Sequence, residues 1–253
     1  MEENIPAAGD PGAEPPAMSF FERLTGVYFE PSKTFKDIDR RPTWLGIFVL
    51  VSLISLPFTY TLMTRMDPGA AIRQRAEASG ASAEQVEQQV QVATAFLKSP
   101  IYRYGMTAVA PVGTLVVYLV FAALFLLLFI IMGAPVTFRK SLTVTFWGCA
   151  PPAMITMIIA TILMYVKDPA TIDPQHLVMS NLGPLVDAKA QPALNSVLSS
   201  IDLFSFWTIV LLAIGFAAIS SRKLTTGKAA TPIVVLWAIY VLGKMGYFAF
   251  FAG

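Results

Sequence analysis

The 253-residue chain contains one cysteine, Cys149, and one histidine, His176. A lone thiol forms no internal disulfide, so cysteine usage leaves the redox compartment open. A single imidazole leaves almost no material for a His-ligated metal site. Charge is scarce as well. Asp, Glu, Lys and Arg make up 13% of the residues against about 25% in an ordinary soluble domain, while hydrophobic residues reach 55%. So few charges cannot cover the surface of a soluble fold of this size, and so much apolar material excludes a disordered chain. A formal net charge of +2 gives no reason to expect nucleic acid or another polyanion as a partner. The composition describes an integral membrane protein.

Five apolar runs, at about 43–63, 108–132, 142–165, 201–221 and 231–251, match the roughly 20 helical residues that cross a bilayer core of about 30 Å. They are continuously apolar, whereas barrel strands alternate over about ten residues, so they predict helices. The expected fold is an all-α polytopic bundle with five transmembrane helices, occupying 43–253. Residues 1–17 are acidic and rich in Pro, Ala and Gly, and read as a disordered tail. They show neither the basic end nor the apolar stretch of a cleavable signal peptide, which leaves the first span to act as a signal anchor. Lys and Arg near the span ends number ten on the side of the N-terminus and seven on the other, with the tight clusters on the first side. This favours an N-terminus inside and a C-terminus outside, in a bacterial cytoplasmic membrane.

Between the spans, 18–42 predicts interfacial structure. Phe20, Phe21, Leu24, Val27 and Tyr28 recur at helical spacing with Glu22 and Arg23 off that face, and Pro31 suits the first position of a second short helix carrying Phe35 and Ile38. Such a segment lies in the headgroup plane or packs on the cytoplasmic end of the bundle. In the first outside loop, about 66–104, Ser82 and Gln85 have capping-box spacing, and Val86, Val90, Ala93 and Leu97 share one face. This predicts an extramembrane amphipathic helix that docks on its own bundle, on lipid headgroups or on a second copy of the chain. The connection at about 166–200 carries Pro169, Pro174, Pro184 and Pro192, a density that stops long helices and predicts short turns over the outer face, with Asn181–Leu185 as a turn.

Catalytic chemistry is hard to find. There is no HExxH, no GxSxG with a partner base in the required order, and no Walker-type phosphate loop. Neither a catalytic set, nor a cofactor, nor a metal is expected. Ionisable groups inside a bilayer are expensive and mark candidate sites. The five runs contain Asp202, at an end, and Lys244, about seven residues or roughly 10 Å from the outer end of the fifth. Both belong to the same outer side, where they can pair, either as a polar coupling site or as a structural tie between spans four and five. Pro151 and Pro152 stand near the middle of the third run and predict a kink or a break. Thr143, Thr145 and Thr156 are placed to take the freed carbonyls. A broken helix lining a cavity and a static kink are both compatible with the pair. Gly148, Gly215, Gly243 and Gly246 permit close helix approach.

The order of three segments carries a resemblance. These are Pro31, Ser32 and Phe35 before the first span, the FRKSLTVTFWGCAPP run from Phe138 to Pro152, and Asp202, Phe204 and Trp207 opening the fourth. Over about 20–251 the chain resembles the prokaryotic branch of the Ypt/Rab-interacting-protein (Yip) family. The resemblance implies a five-helix bundle with a cytosolic N-terminus. The family's eukaryotic members bind Rab-type GTPases and act in vesicle traffic and membrane shaping, and no catalytic residue set comes with it. The Gln-rich insertion after the first span departs from the compact eukaryotic members.

The function expected is therefore that of a non-enzymatic scaffold or adaptor that binds partner proteins or organises membrane lipid, with a homo-oligomer among its possible assemblies. The alternative is a transporter, channel or lipid-translocating protein using the Pro151–Pro152 break and the Asp202/Lys244 pair.

Overall fold

The computed structural model describes residues 16–66, 69, 72–73, 76, 80–168, 177–188, 190–221 and 223–251. Most of the expected tail, His176, Pro169 and Pro174 lie outside the described residues. Regular structure within them is helical: α1 Phe20–Phe29, α2 Pro31–Arg40, α3 Leu45–Arg65, α4 Ala83–Leu97, α5 Pro100–Ile131, α6 Phe138–Val166, α7 Pro192–Leu198, α8 Leu203–Ile219 and α9 Thr226–Phe251, with a 3-10 turn at Gly183–Leu185. Four of these (α3, α5, α6 and α9) are long and apolar enough to cross a membrane. The fourth apolar run yields only the 17-residue α8, about 26 Å long at 1.5 Å per residue. Large apolar side chains stand exposed along α5 and α9, among them Val112, Val116, Val120, Leu127, Val235, Ile239 and Leu242. That extent of apolar surface belongs against lipid rather than water.

α1 and α2 form a hairpin packed on α6 and α8. Ser19 opens α1 with a capping box: its hydroxyl accepts from Glu22 N, and Ser19 N donates to the Glu22 carboxylate at 2.6 Å. That backbone hydrogen bond holds the Glu22 carboxyl below its ordinary range. Pro31 occupies the first turn of α2 as expected. The buried face of α1 differs from the expected stripe. Arg23, Gly26 and Val27 are inside, while Phe21 is 73% exposed. The reason is charge neutralisation on the facing helix. Arg23 Nε donates to Asp37 Oδ2 at 2.7 Å, and Nη1 donates to Arg41 O and Thr43 Oγ1. A guanidinium so satisfied can be buried where periodicity alone would have put a phenyl ring.

The hairpin tip is fixed by Tyr28, whose hydroxyl donates to Pro151 O at 3.1 Å and whose ring meets Trp207 edge-on. Burial pushes the Tyr28 phenol up to about 12. Because the folded state holds the proton longer than the unfolded chain does, stability should fall as pH rises from about 10 to about 12. The part of that alkaline loss due to this residue should vanish in Tyr28→Phe, which a pH series of thermal melts checks.

Beside the hairpin, the core joins α3, α5, α6 and α8. Trp44 stacks on Phe146 at 5.3 Å, Phe129 stacks on Phe216 at 4.3 Å, and Trp147 Nε1 donates to Thr43 O at 2.9 Å. Two of the four expected glycines serve close approach. A Cβ on Gly148 would stand 2.6 Å from Leu212 Cδ2, and one on Gly215 would stand 2.6 Å from Val144 Cγ1. Gly243 and Gly246 face open space instead. Gly243→Ala and Gly246→Ala should therefore each be neutral or raise stability by up to about 1 kcal/mol, the helix-propensity difference. A drop in melting temperature, or a loss of chemically crosslinked dimer, would show that these glycines face a second copy of the chain.

α4 begins at the expected capping box, with Ser82 Oγ accepting from Gln85 N and Ser82 N donating to Gln85 Oε1. Its packing on the bundle is thin. Val86 is buried, Phe96 meets Tyr102 at the start of α5 with ring centroids 5.1 Å apart, and Glu87 pairs with Arg73 at 3.0 Å. Val92 and Phe96 remain more than 60% exposed.

Candidate functional site

The prolines expected to break the third run do not. α6 is one continuous helix from Phe138 to Val166 with Pro151 and Pro152 buried inside it. Nor do the threonines take the freed carbonyls of Trp147 and Gly148. Thr143, Thr145 and Thr156 each bond the carbonyl four residues back, at Arg139, Ser141 and Pro152. A helix held on several sides by α3, α5, α8 and the hairpin tolerates the missing donors, as membrane helices do where neighbours constrain them. Pro57, Pro111 and Pro232 likewise sit within continuous helices.

The discontinuity lies elsewhere. Leu212 faces Gly148, and Gly215 faces Val144, which fixes α8 antiparallel to α6. Counting nine residues back from Leu212 puts Leu203 level with about Met157, so α8 starts about 14 Å short of the end of α6 at Val166. α9 gives the same result. Trp237 meets Phe206 at 5.9 Å, and α9 then runs on past Tyr240 for another eleven residues, about 16 Å. Residues 177–188 and 190–201 lie above the α8 start. Leu177 is buried against Ala160 and Met164, and α7 packs along α9. The predicted short turns therefore exist, including Gly183–Leu185, with Leu177 inside and Met179, Leu182 and Leu185 exposed.

A chain that interrupts its helix at this level must satisfy its backbone locally. Asn181 and Asp202 form an antiparallel bridge, with Leu203 N donating to Ser180 O and Leu182 N donating to Leu198 O, both at 3.2 Å. Asn195 Nδ2 donates to Gly183 O at 2.8 Å. Asp202 caps α8: Oδ1 accepts from Phe204 N at 2.9 Å and Ser205 N at 3.1 Å, and Oδ2 accepts from Ser205 Oγ. Removing such a cap costs about 0.5–2 kcal/mol. Asp202→Ala should lose that much, and Asp202→Asn much less, in a thermal melt of the purified protein.

The expected ion pair is not made. Asp202 spends its carboxylate on the start of its own helix, while Lys244 Nζ donates to Ser200 Oγ at 3.5 Å. The physical reason is register. By the Phe206–Trp237 contact the residue on α9 that shares the Asp202 level is Val241, and Lys244 stands about one turn further out.

Beside the discontinuity is a cavity of about 660 Å³. One end is polar, with Ser180, Asn181, Asp202, Ser205 and Thr208. The rest is apolar, walled by Phe58, Leu62, Phe125, Cys149, Pro152 and Leu212 among others. Of the four candidate residues singled out in the sequence, Pro152 and Asp202 meet on this cavity. Pro151, whose carbonyl accepts from Tyr28, and Lys244 lie outside the lining. What the sequence concealed was Asn181 and Ser180, because a polar turn in a proline-rich connection looks like surface. Among the described residues no group of three or more His, Cys, Asp or Glu stands together as a metal site.

Long apolar helices around an interrupted one define a multi-pass integral membrane protein. The profile of the Yip1 domain matches residues 25–247, and the chain belongs to that family. A relative from Bacillus subtilis (strain 168), described as membrane protein YknW, is 25% identical over 253 residues, covering 100% of this chain and 96% of its own. No solved structure matches.

Proposed function

We propose that the protein is a non-enzymatic scaffold or adaptor of the Yip type, which holds partner proteins or organises lipid at the cytoplasmic face of a bacterial cytoplasmic membrane. The observation that carries this reading is the α1–α2 hairpin. Its inner face is locked to the bundle through the buried Arg23–Asp37 pair, while its outer face presents Ser32, Lys33, Lys36 and Arg40. Rigid attachment with an exposed cationic face suits the reading of acidic partner segments or anionic headgroups. Lys33 is paired with Glu30 at 2.9 Å, which leaves Lys36 and Arg40 as the larger part of the exposed positive charge.

In this reading α7 and α8 together make the remaining crossing, so the chain crosses five times, with its N-terminus inside and its C-terminus outside. Reporter fusions at the two ends should report opposite compartments. Affinity capture from native membranes should recover specific proteins or anionic lipids with the wild type, and recovery should fall in Lys33→Glu/Lys36→Glu. Capture of nothing specific by either protein would end the scaffold reading.

A second reading, translocation of a lipid or solute, is supported by the interrupted helix beside a cavity, an arrangement that transporters use for their substrate sites. It predicts flux in proteoliposomes that Asn181→Leu abolishes.

A further inference from the structure

The cavity at the start of α8 can be assigned an occupant from its chemistry and its place in the bundle. It runs from Cys149 to Ala160 along α6, about 16 Å, which is close to half the thickness of a bilayer core. Protein interiors hold few voids larger than a water molecule, and about 660 Å³ lies within the range of sites that take a whole small ligand. The walls are apolar over most of that length. The one charged side chain in the lining, Asp202, already accepts from Phe204 N, Ser205 N and Ser205 Oγ. A hydrated ion or a sugar entering here would lose its water and find few partners. A hydrocarbon chain would lose nothing.

Access points the same way. Phe121 on α5 is 43% exposed and Tyr240 on α9 is 64% exposed, and both belong to the cavity wall. The rim is therefore formed by side chains on the apolar outside of the bundle. What lies against that outside is lipid.

We propose that this cavity holds one acyl chain of a membrane lipid. The chain lies along α6 toward Cys149 and Leu212, and its ester end sits at the helix discontinuity, where the Asn181 amide can donate to a carbonyl oxygen. The site goes beyond the scaffold reading and does not need it, since a bundle that binds no partner protein can still hold the lipid.

The test uses the full chain reconstituted in phosphatidylethanolamine/phosphatidylglycerol vesicles doped with a phosphatidylcholine that carries a diazirine in its acyl chain. After photolysis, adducts are mapped by peptide mass spectrometry. Wild type should give adducts on the inward-facing peptides 149–160 and 204–212 as well as on the outward face of α5. Ala153→Trp, which fills the cavity, should cut the 204–212 adducts by about tenfold or more, the equivalent of about 1.4 kcal/mol, and leave those around Val116 and Val120 unchanged. Asn181→Leu, which removes the polar end without filling the space, should lower them several-fold and keeps the test open where Ala153→Trp does not fold. Equal inward adducts in all three proteins, or adducts confined to outward faces, would overturn the proposal.

A second measurement uses the only cysteine of the chain. Cys149 lines the cavity and should resist a charged, water-borne maleimide, because a lipid-filled apolar cavity admits neither the reagent nor the thiolate that it needs. Rapid labelling by the charged reagent would mean a water-filled cavity and would also overturn the assignment. Neither measurement involves partner capture, so this site and the scaffold reading fail or survive separately.

Discussion

Asp37→Ala should lower the stability of the folded protein by about 3–5 kcal/mol, the cost of removing one partner from a buried ion pair. The Asp37 and Arg23 side chains are only 3% and 5% exposed, with Nε and Oδ2 2.7 Å apart. The carboxylate also takes Met18 N at 3.3 Å and stands 3.5 Å from Arg40. Alanine at 37 leaves the guanidinium of Arg23 inside the hairpin with only Arg41 O and Thr43 Oγ1 to bond. The structure can answer by letting the hairpin swing out, which exposes Val27, Phe35 and Ile38, all 0% exposed in the fold.

The loss should therefore appear twice, as a lower melting temperature in detergent and as accelerated amide exchange over 18–42 that leaves α5 and α6 protected. Replacing both partners, as in Arg23→Leu/Asp37→Leu, should recover most of the stability, because no charge is then left buried. If Asp37→Ala cost under about 1 kcal/mol, the range of an exposed pair, the hairpin would be held by its apolar contacts and not by this pair.

The contrast between that pair and the expected Asp202/Lys244 pair shows what a membrane sequence reveals. The positions of α3, α5, α6 and α9 were readable from hydropathy because the bilayer imposes a length and a polarity on a crossing element, whereas the fourth run yields only the 17-residue α8. The capping boxes at Ser19 and Ser82 were readable for a similar reason: the side chain and the backbone group it satisfies are three residues apart. Pairing between helices was not, since it depends on register. Arg23 looked like the polar side of an amphipathic helix because its partner Asp37 is fourteen residues away on another helix. Asp202 and Lys244 looked paired because both approach the same side, yet about one turn of α9 separates the Asp202 level from Lys244. For Pro151–Pro152 the loss of two donors is a local fact, but whether the helix is broken there depends on what surrounds it, and α6 runs on unbroken. The real interruption, at Ser199–Asp202, carries no proline. Its only local sign is Asp202 itself, an N-cap residue following Ser199 and Ser200.

Gly215→Val is the sharpest test of the contact among α2, α6 and α8, and should cost about 3 kcal/mol, the upper part of the range for overpacking a core. A Cβ at this position would stand 2.6 Å from Val144 Cγ1 and 2.9 Å and 3.0 Å from Phe35 Cε1 and Cδ1. Neither neighbour can give way cheaply. Val144 and Phe35 are both 0% exposed, and a β-branched residue and a ring have few alternative rotamers. The better helix propensity of valine offsets only a few tenths of a kcal/mol.

Two comparisons separate steric cost from a general effect of losing glycine. Val144→Ala removes the nearer clash, so Gly215→Ala/Val144→Ala should be more stable than the sum of the two single changes allows, a coupling of 0.5 kcal/mol or more being what contacting residues show. Gly243→Val adds the same side chain to α9, where nothing stands within 4 Å, and should change the melting temperature little. Were Gly215→Val and Gly243→Val to destabilise equally, the loss would belong to the helix backbone, and the close seating of the hairpin against α6 and α8 would contribute nothing to stability.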